Sequence, residues 1–153
     1  MLSCIGKIFK KPSNGNVSNI SVVRGEWGEG VACEYLKKRG WKIVGKNVRP
    51  SIRDRRKEID IIAYDGESNQ LVFVEVKTHI KQSEYAPRLW SINSHKKKIL
   101  LSAFRIWLSV HKWSGNYRFD VIEVYGRMDE EPVIDHIENV HIFPPSDRFR
   151  RYG

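Results

Sequence analysis

A chain of 153 residues has room for one domain with a real core and no comfortable room for two. Its 41% hydrophobic fraction is enough for a globule, while 27 Lys+Arg against 18 Asp+Glu leave a net charge of +9, a field that attracts polyanions, of which nucleic acid is the commonest. No apolar run approaches the roughly 20 residues that cross a bilayer, and Cys4 and Cys33 make no redox or metal motif, so a membrane span is excluded and a reduced, cytoplasmic protein is expected.

Residues 1–23 are rich in Ser, Asn, Gly and Lys and read as a flexible basic arm. The arm lacks the apolar stretch of a secretory signal, and Cys4 stands too close to Met1 for a lipoprotein one. From Gly25 to Arg39 the pattern is helical: Trp27, Gly28, Val31, Ala32, Tyr35 and Leu36 share one side, and Gly40 is a natural stop. A short strand spans Trp41 to Val48. Pro50 to Lys57 is a cationic loop, with Arg53, Arg55, Arg56 and Lys57 opposed only by Asp54. Two strands follow, Glu58 to Tyr64 and Leu71 to Lys77, and the turn residues Asp65, Gly66, Ser68 and Asn69 join them as an antiparallel hairpin.

His79 to Asn93 is irregular and holds Pro87 and Trp90. Ser94 caps a second helix that runs to about Trp113, with Ile99, Leu100, Ala103, Ile106, Trp107 and Val110 on its apolar face. Ser114-Gly115-Asn116 breaks it. Tyr117 to Tyr125 is a further strand, Val133 to Ile142 holds one or two short ones, and 146–153 is a basic tail. The expected organisation is one α/β domain over 24–145. Its sheet of four to five strands is flanked by helices, and the helical crossover sets the Tyr117 strand parallel to an earlier one.

Charges interrupt the strands. Residues two apart share a face, so Val72, Val74 and Val76 point one way and Leu71, Phe73, Glu75 and Lys77 the other. A strand apolar on both faces is normally covered on both, and a carboxylate there is costly unless paired or bound to metal. If Tyr64 faces Leu71 across the turn, Asp60 falls opposite Glu75, where like charges repel without a compensating cation. A divalent ion fits, because hard cations take carboxylate and carbonyl oxygens. Lys77, two residues on, could instead serve as a simple counter-ion to Glu75, which would leave Asp60 and Glu58 without partners. Glu29 borders the apolar face of the first helix and is a weaker candidate. The five histidines, His79, His95, His111, His136 and His141, show no ligand spacing and read as surface or loop residues.

Gly28-Glu29 with Ala32 and Leu36, then Gly40, Asn47, Glu58-Ile59-Asp60, Phe73-Val74-Glu75-Val76-Lys77-Thr78, Lys96 with Ala103, and Arg118-Phe119-Asp120-Val121 together resemble the YraN-like family. That family is grouped with the PD-(D/E)XK nucleases and is similar to archaeal Holliday junction resolvases. The match covers roughly Gly25 to Tyr125. It implies a restriction-endonuclease-like core of helix, three strands, helix and strand. Asp60 then matches the superfamily aspartate, Glu75 and Lys77 its carboxylate-x-lysine, and Glu29 the helical glutamate that assists metal binding. Lys57 stands where the family usually has glycine, and His79 where it favours arginine.

The reading that follows is metal-dependent hydrolysis of nucleic-acid phosphodiesters, DNA foremost and branched or junction DNA within that. Asp60, Glu75, the Val76 carbonyl and Glu29 would hold magnesium, with manganese as its substitute, and Lys77 would act on the water or the transition state. Arg53, Arg55, Arg56 and Lys57 would contact flanking phosphates, as would Lys96 and Lys97 at a helix N-terminus where an anion offsets the unfavourable dipole. A junction cutter needs two active sites, hence a homodimer. The rivals are a non-cleaving nucleic-acid-binding module and a ribosome or partner interaction protein on the same fold.

Overall fold

The computed structural model describes residues 17–80 and 93–142. The basic tail, most of the basic arm, and the Pro87 and Trp90 segment lie outside the described residues. The elements, in order, are α1 (Val17–Lys38), β1 (Lys42–Val48), β2 (Ile59–Asp65), β3 (Gln70–His79), α2 (Ser94–Val110), β4 (Asn116–Tyr125) and β5 (Val133–Ile137). The five strands lie side by side in sequence order. Every neighbouring pair is antiparallel except β3 and β4, which run parallel because α2 carries the chain back between them. The result is a mixed sheet flanked by two helices, consistent with a restriction-endonuclease-like core. Among the described residues no helix is long and apolar enough to cross a membrane.

The strand patterning places the core. Leu71 and Phe73 join Ile62, Phe119 and the α2 residues Leu100, Ala103, Phe104 and Trp107 in one buried cluster. Val72 and Val74 join Ile61, Ile122 and Val124 with Ala32 and Leu36 of α1 in the other. A strand apolar on both faces thus has a helix on each, as its composition requires. Phe73 is the centre of the α2 side: its ring stacks on Phe104 with centroids 4.2 Å apart.

α1 starts at Val17, not at the expected Gly25, so it takes in residues read as the end of the arm. Its stop is the one expected: Gly40 takes φ +83°, and the N–H of Trp41 reaches back to the carbonyl of Leu36 at 3.0 Å. α2 departs from expectation twice. Its cap is Asn93, whose side chain accepts from the N–H of Lys96 at 2.8 Å, and Ser94 is already helical. Its buried face is Leu100, Leu101, Ala103, Phe104 and Trp107, whereas Val110 is mostly exposed. Two apolar stripes were available on this helix, and the aromatic contacts with Phe73 and Phe119 select one.

A polar network ties β4 and β5 to the C-terminal end of α1. Asp120 is wholly buried; it accepts from the guanidinium of Arg118 at 3.0 Å and from the N–H of Asn139 at 2.8 Å. Its other oxygen lies 2.9 Å from Nε2 of His136, which is itself buried beneath Tyr35 and Trp41. His136 is therefore a core residue on β5, and the surface reading of the histidines fails there: its partners come from strands and a helix remote in sequence.

Candidate active site

The hairpin register is the one counted from the turn, with Tyr64 facing Leu71, and the β2–β3 pairing runs from Asp65↔Gln70 to Ile61↔Val74. Asp60 is the next residue, and it stands where alternation breaks: Ile61 packs on the α1 side and Ile59 on the α2 side. Strand residues two apart would share a face in a regular ladder. The Asp60 carboxylate takes the place of a ladder acceptor, with Oδ2 receiving the backbone N–H of Val76 at 2.8 Å. This bond fixes the carboxylate against β3 beside Glu75.

Glu75 is only 3% exposed. Its Oε1 is held by the ammonium of Lys77 at 2.9 Å and that of Lys96 at 3.3 Å. The simple ion pair of Glu75 with Lys77 is therefore real. It uses one carboxylate oxygen; the second, Oε2, is buried with no hydrogen-bond partner among the described residues. Glu29 likewise buries an unpartnered Oε2. Gly28 explains how α1 brings Glu29 in: a Cβ there would lie 1.9 Å from Cγ2 of Thr78, so only glycine lets the helix approach β3 this closely.

Burial pushes the Asp60 carboxyl up to about 7, and the charges of Glu75 and Glu29 add to it; the Val76 N–H and Lys96 pull the other way without prevailing. The surroundings of Asp60 are short of positive charge even with two lysines beside Glu75. Oxygen donors of this kind, two of them unpartnered, fit a hard divalent cation. Among the described residues, no group of three or more His, Cys, Asp or Glu stands close enough to hold a metal ion. The donors match the ion in chemistry, and a coordination shell is not assembled.

The cationic residues separate into two groups. Arg53 and Arg55 are exposed; so is Arg56, whose guanidinium is paired with Asp54 at 2.9 Å, while Lys57 is half-buried. Glu58, which sequence reasoning left without a partner, is paired with Arg49. Lys96 reaches into the carboxylate cluster, whereas Lys97 beside it is half-buried on α2. Val76 contributes its N–H to Asp60.

One feature escaped the sequence reading. Glu123 on β4 is 2% exposed and is the register partner of Lys77, on the same sheet face. Tyr125 donates its hydroxyl to Glu123, and Nε2 of His79 lies 3.8 Å from it. The signal was present: a carboxylate in an apolar strand, as at Glu75. Its neighbour could be named only once the β3–β4 register was known.

A family model described as "Uncharacterised protein family UPF0102" matches residues 28–124, from the glycine of α1 through β4. A "UPF0102 protein" of Geobacter sulfurreducens is 34% identical over 126 residues, 82% of this chain and 93% of that one. Another, from Thermodesulfovibrio yellowstonii, is 37% identical over 115 residues, 75% of this chain and 92% of its own. A third, from Trichlorobacter lovleyi, is 35% identical over 118 residues, covering 75% and 87% respectively.

Proposed function

Since the chain belongs to the UPF0102 family, the YraN-like group of PD-(D/E)XK type, we propose that it is a metal-dependent endonuclease that hydrolyses phosphodiester bonds of nucleic acid, DNA in the first place. The observation that carries this reading is the pairing of Asp60, anchored on the Val76 N–H, with a buried Glu75 whose second oxygen is unpartnered and whose first is held by Lys77. A structural ion pair needs one lysine per carboxylate. Here three carboxylates, Glu29 included, converge electrostatically on one strand end.

Asp60, Glu75, the Val76 carbonyl and Glu29 would hold magnesium or manganese, which when bound lowers the pKa of a coordinated water and offsets charge on the phosphate. Asp60 is kept aimed by its backbone bond. Lys77, which is paired with Glu75 at 2.9 Å, would lend its charge to the transition state or orient the attacking water. Lys96 supplies a second ammonium at the same carboxylate. Exposed Arg53 and Arg55 lead directly into β2 and supply contacts to flanking phosphates. Two such sites in a homodimer would suit branched DNA.

The test is nicking of supercoiled plasmid and cleavage of junction DNA with magnesium or manganese, for wild type beside Asp60→Ala and Lys77→Ala. Each substitution should lower the rate by at least about 100-fold, the order seen when a transition-state charge partner is removed. Activity that survives both, or that needs no metal, rejects the reading. One observation favours a second reading, a non-cleaving nucleic-acid-binding module: two lysines already neutralise one oxygen of Glu75. Salt-sensitive binding without cleavage across duplex, single-stranded and junction substrates would select that module.

A further inference from the structure

The loop 49–58 between β1 and β2 is braced at every turn. Arg49 and Glu58 close its base as an ion pair. Within it, Ser51 Oγ accepts from the N–H of Asp54 at 3.3 Å, and Asp54 Oδ1 accepts from the N–H of Arg56 at 3.2 Å. The Arg56 guanidinium clasps both Asp54 oxygens at 2.9 and 3.1 Å. Backbone bonds from Lys57 to Asp54 and from Glu58 to Arg56, at 3.1 and 3.0 Å, complete it. This bracing presents one apolar side chain: Ile52 is 99% exposed, and Arg53 and Arg55 beside it are exposed as well.

A lone exposed aliphatic residue is ordinary on any surface. Ile52 differs in its setting, since a self-bonded loop holds it clear of the protein, followed by the exposed Arg53 and Arg55, in the segment that runs straight into Asp60. Cations beside it meet the backbone phosphates of a strand, and an isoleucine next to them meets the next apolar surface inward, the face of a base. A continuous duplex hides those faces by stacking. Unpaired or branched nucleic acid exposes them, and an aliphatic wedge entering there avoids most of the unstacking cost.

We propose that Ile52 is an apolar wedge that recognises unstacked bases, so that the preferred nucleic acid is one whose stacking is interrupted: a bubble, a flap or a junction. The inference rests on the nucleic-acid reading above and narrows its substrate class. It concerns binding alone, so it can fail separately from catalysis.

The experiment is equilibrium binding of the full chain in EDTA, where no metal supports cleavage, to three DNAs of equal length: a duplex, the same duplex with an unpaired internal loop, and a four-way junction. 2-Aminopurine at an unpaired position reports insertion. Wild type should bind the interrupted DNAs about tenfold tighter than the duplex, the factor that burial of one aliphatic side chain supplies. Ile52→Ala should lose that preference and most of the 2-aminopurine change while keeping duplex affinity, and Ile52→Leu should restore both. Arg53→Ala should weaken all three DNAs alike. An unchanged preference in Ile52→Ala, or equal wild-type binding to all three, overturns the proposal, as does Ile52-dependent binding to anionic vesicles with none to DNA. If the preference depends on Ile52 but magnesium yields no cleavage, the hydrolase reading fails and the wedge stands; cleavage with no such preference has the opposite meaning.

Discussion

Asp60 concentrates the electrostatics of the site in one group. Its folded-state pKa of about 7 lies above the roughly 3.9 of an unfolded aspartate, so the native state keeps a proton that the unfolded chain has already lost. The associated stabilisation is complete below about pH 4 and disappears as pH rises through about 7. Asp60→Asn keeps an acceptor for the Val76 N–H and cannot ionise. In EDTA it should therefore gain more Tm over wild type at about pH 8 than at about pH 5; a gain that does not change with pH would count against a raised Asp60. Magnesium at the higher pH should raise the Tm of wild type and leave Asp60→Asn little changed, because a ligand stabilises only the state that binds it. The two carboxylates were legible only in part: the short turn fixes the hairpin register as far as Ile61↔Val74, while Asp60 comes beside Glu75 through its bond to the Val76 N–H, which no register count contains. Lys96 as a partner of Glu75 was not legible, since a helix beginning well downstream supplies it and only the packed fold sets its reach. The same holds for His136 on Asp120.

At the scale of elements, the contact between α1 and β3 decides whether Glu29 belongs to the site. Gly28→Ala drives a methyl group into the stiff, branched Thr78 side chain. The expected cost is about 1–3 kcal/mol of stability, as for other overpacked contacts. Adding Thr78→Ser, which removes the clashing Cγ2, should recover most of it; chemical denaturation of the two variants and the pair gives the coupling directly. If Gly28→Ala is neutral, the close approach is not what seats the helix. On the opposite face, Phe104→Ala should cost about 3–5 kcal/mol by emptying the stack on Phe73. Sequence periodicity located both helices and missed their details. α1 begins in a segment whose Ser and Asn composition favours a loop, and the buried face of α2 was settled by ring contacts that no period of 3.6 contains.

For the molecule as a whole, the charge of +9 predicts binding that weakens linearly in log affinity with log salt, and each phosphate-contacting arginine lost should lower that slope by about one. Arg53→Ala and Arg55→Ala measured over a salt series test this; an unchanged slope would place the phosphates elsewhere. The order of the strands carries a further consequence. Asp60, Glu75 and Lys77 all lie within one antiparallel meander, residues 42–79, whose contacts are local in sequence, whereas Glu29 and Lys96 arrive on helices and Glu123 across the parallel β3–β4 pair. Low contact order favours early formation, so the meander is expected to nucleate folding and carry the slowest amide exchange. Asp60, Glu75 and Lys77 would thus be brought together before either helix docks. Partial opening of α1 would remove Glu29 while leaving those three residues in place, a graded loss that native-state exchange read at β2 and β3 against α1 would resolve.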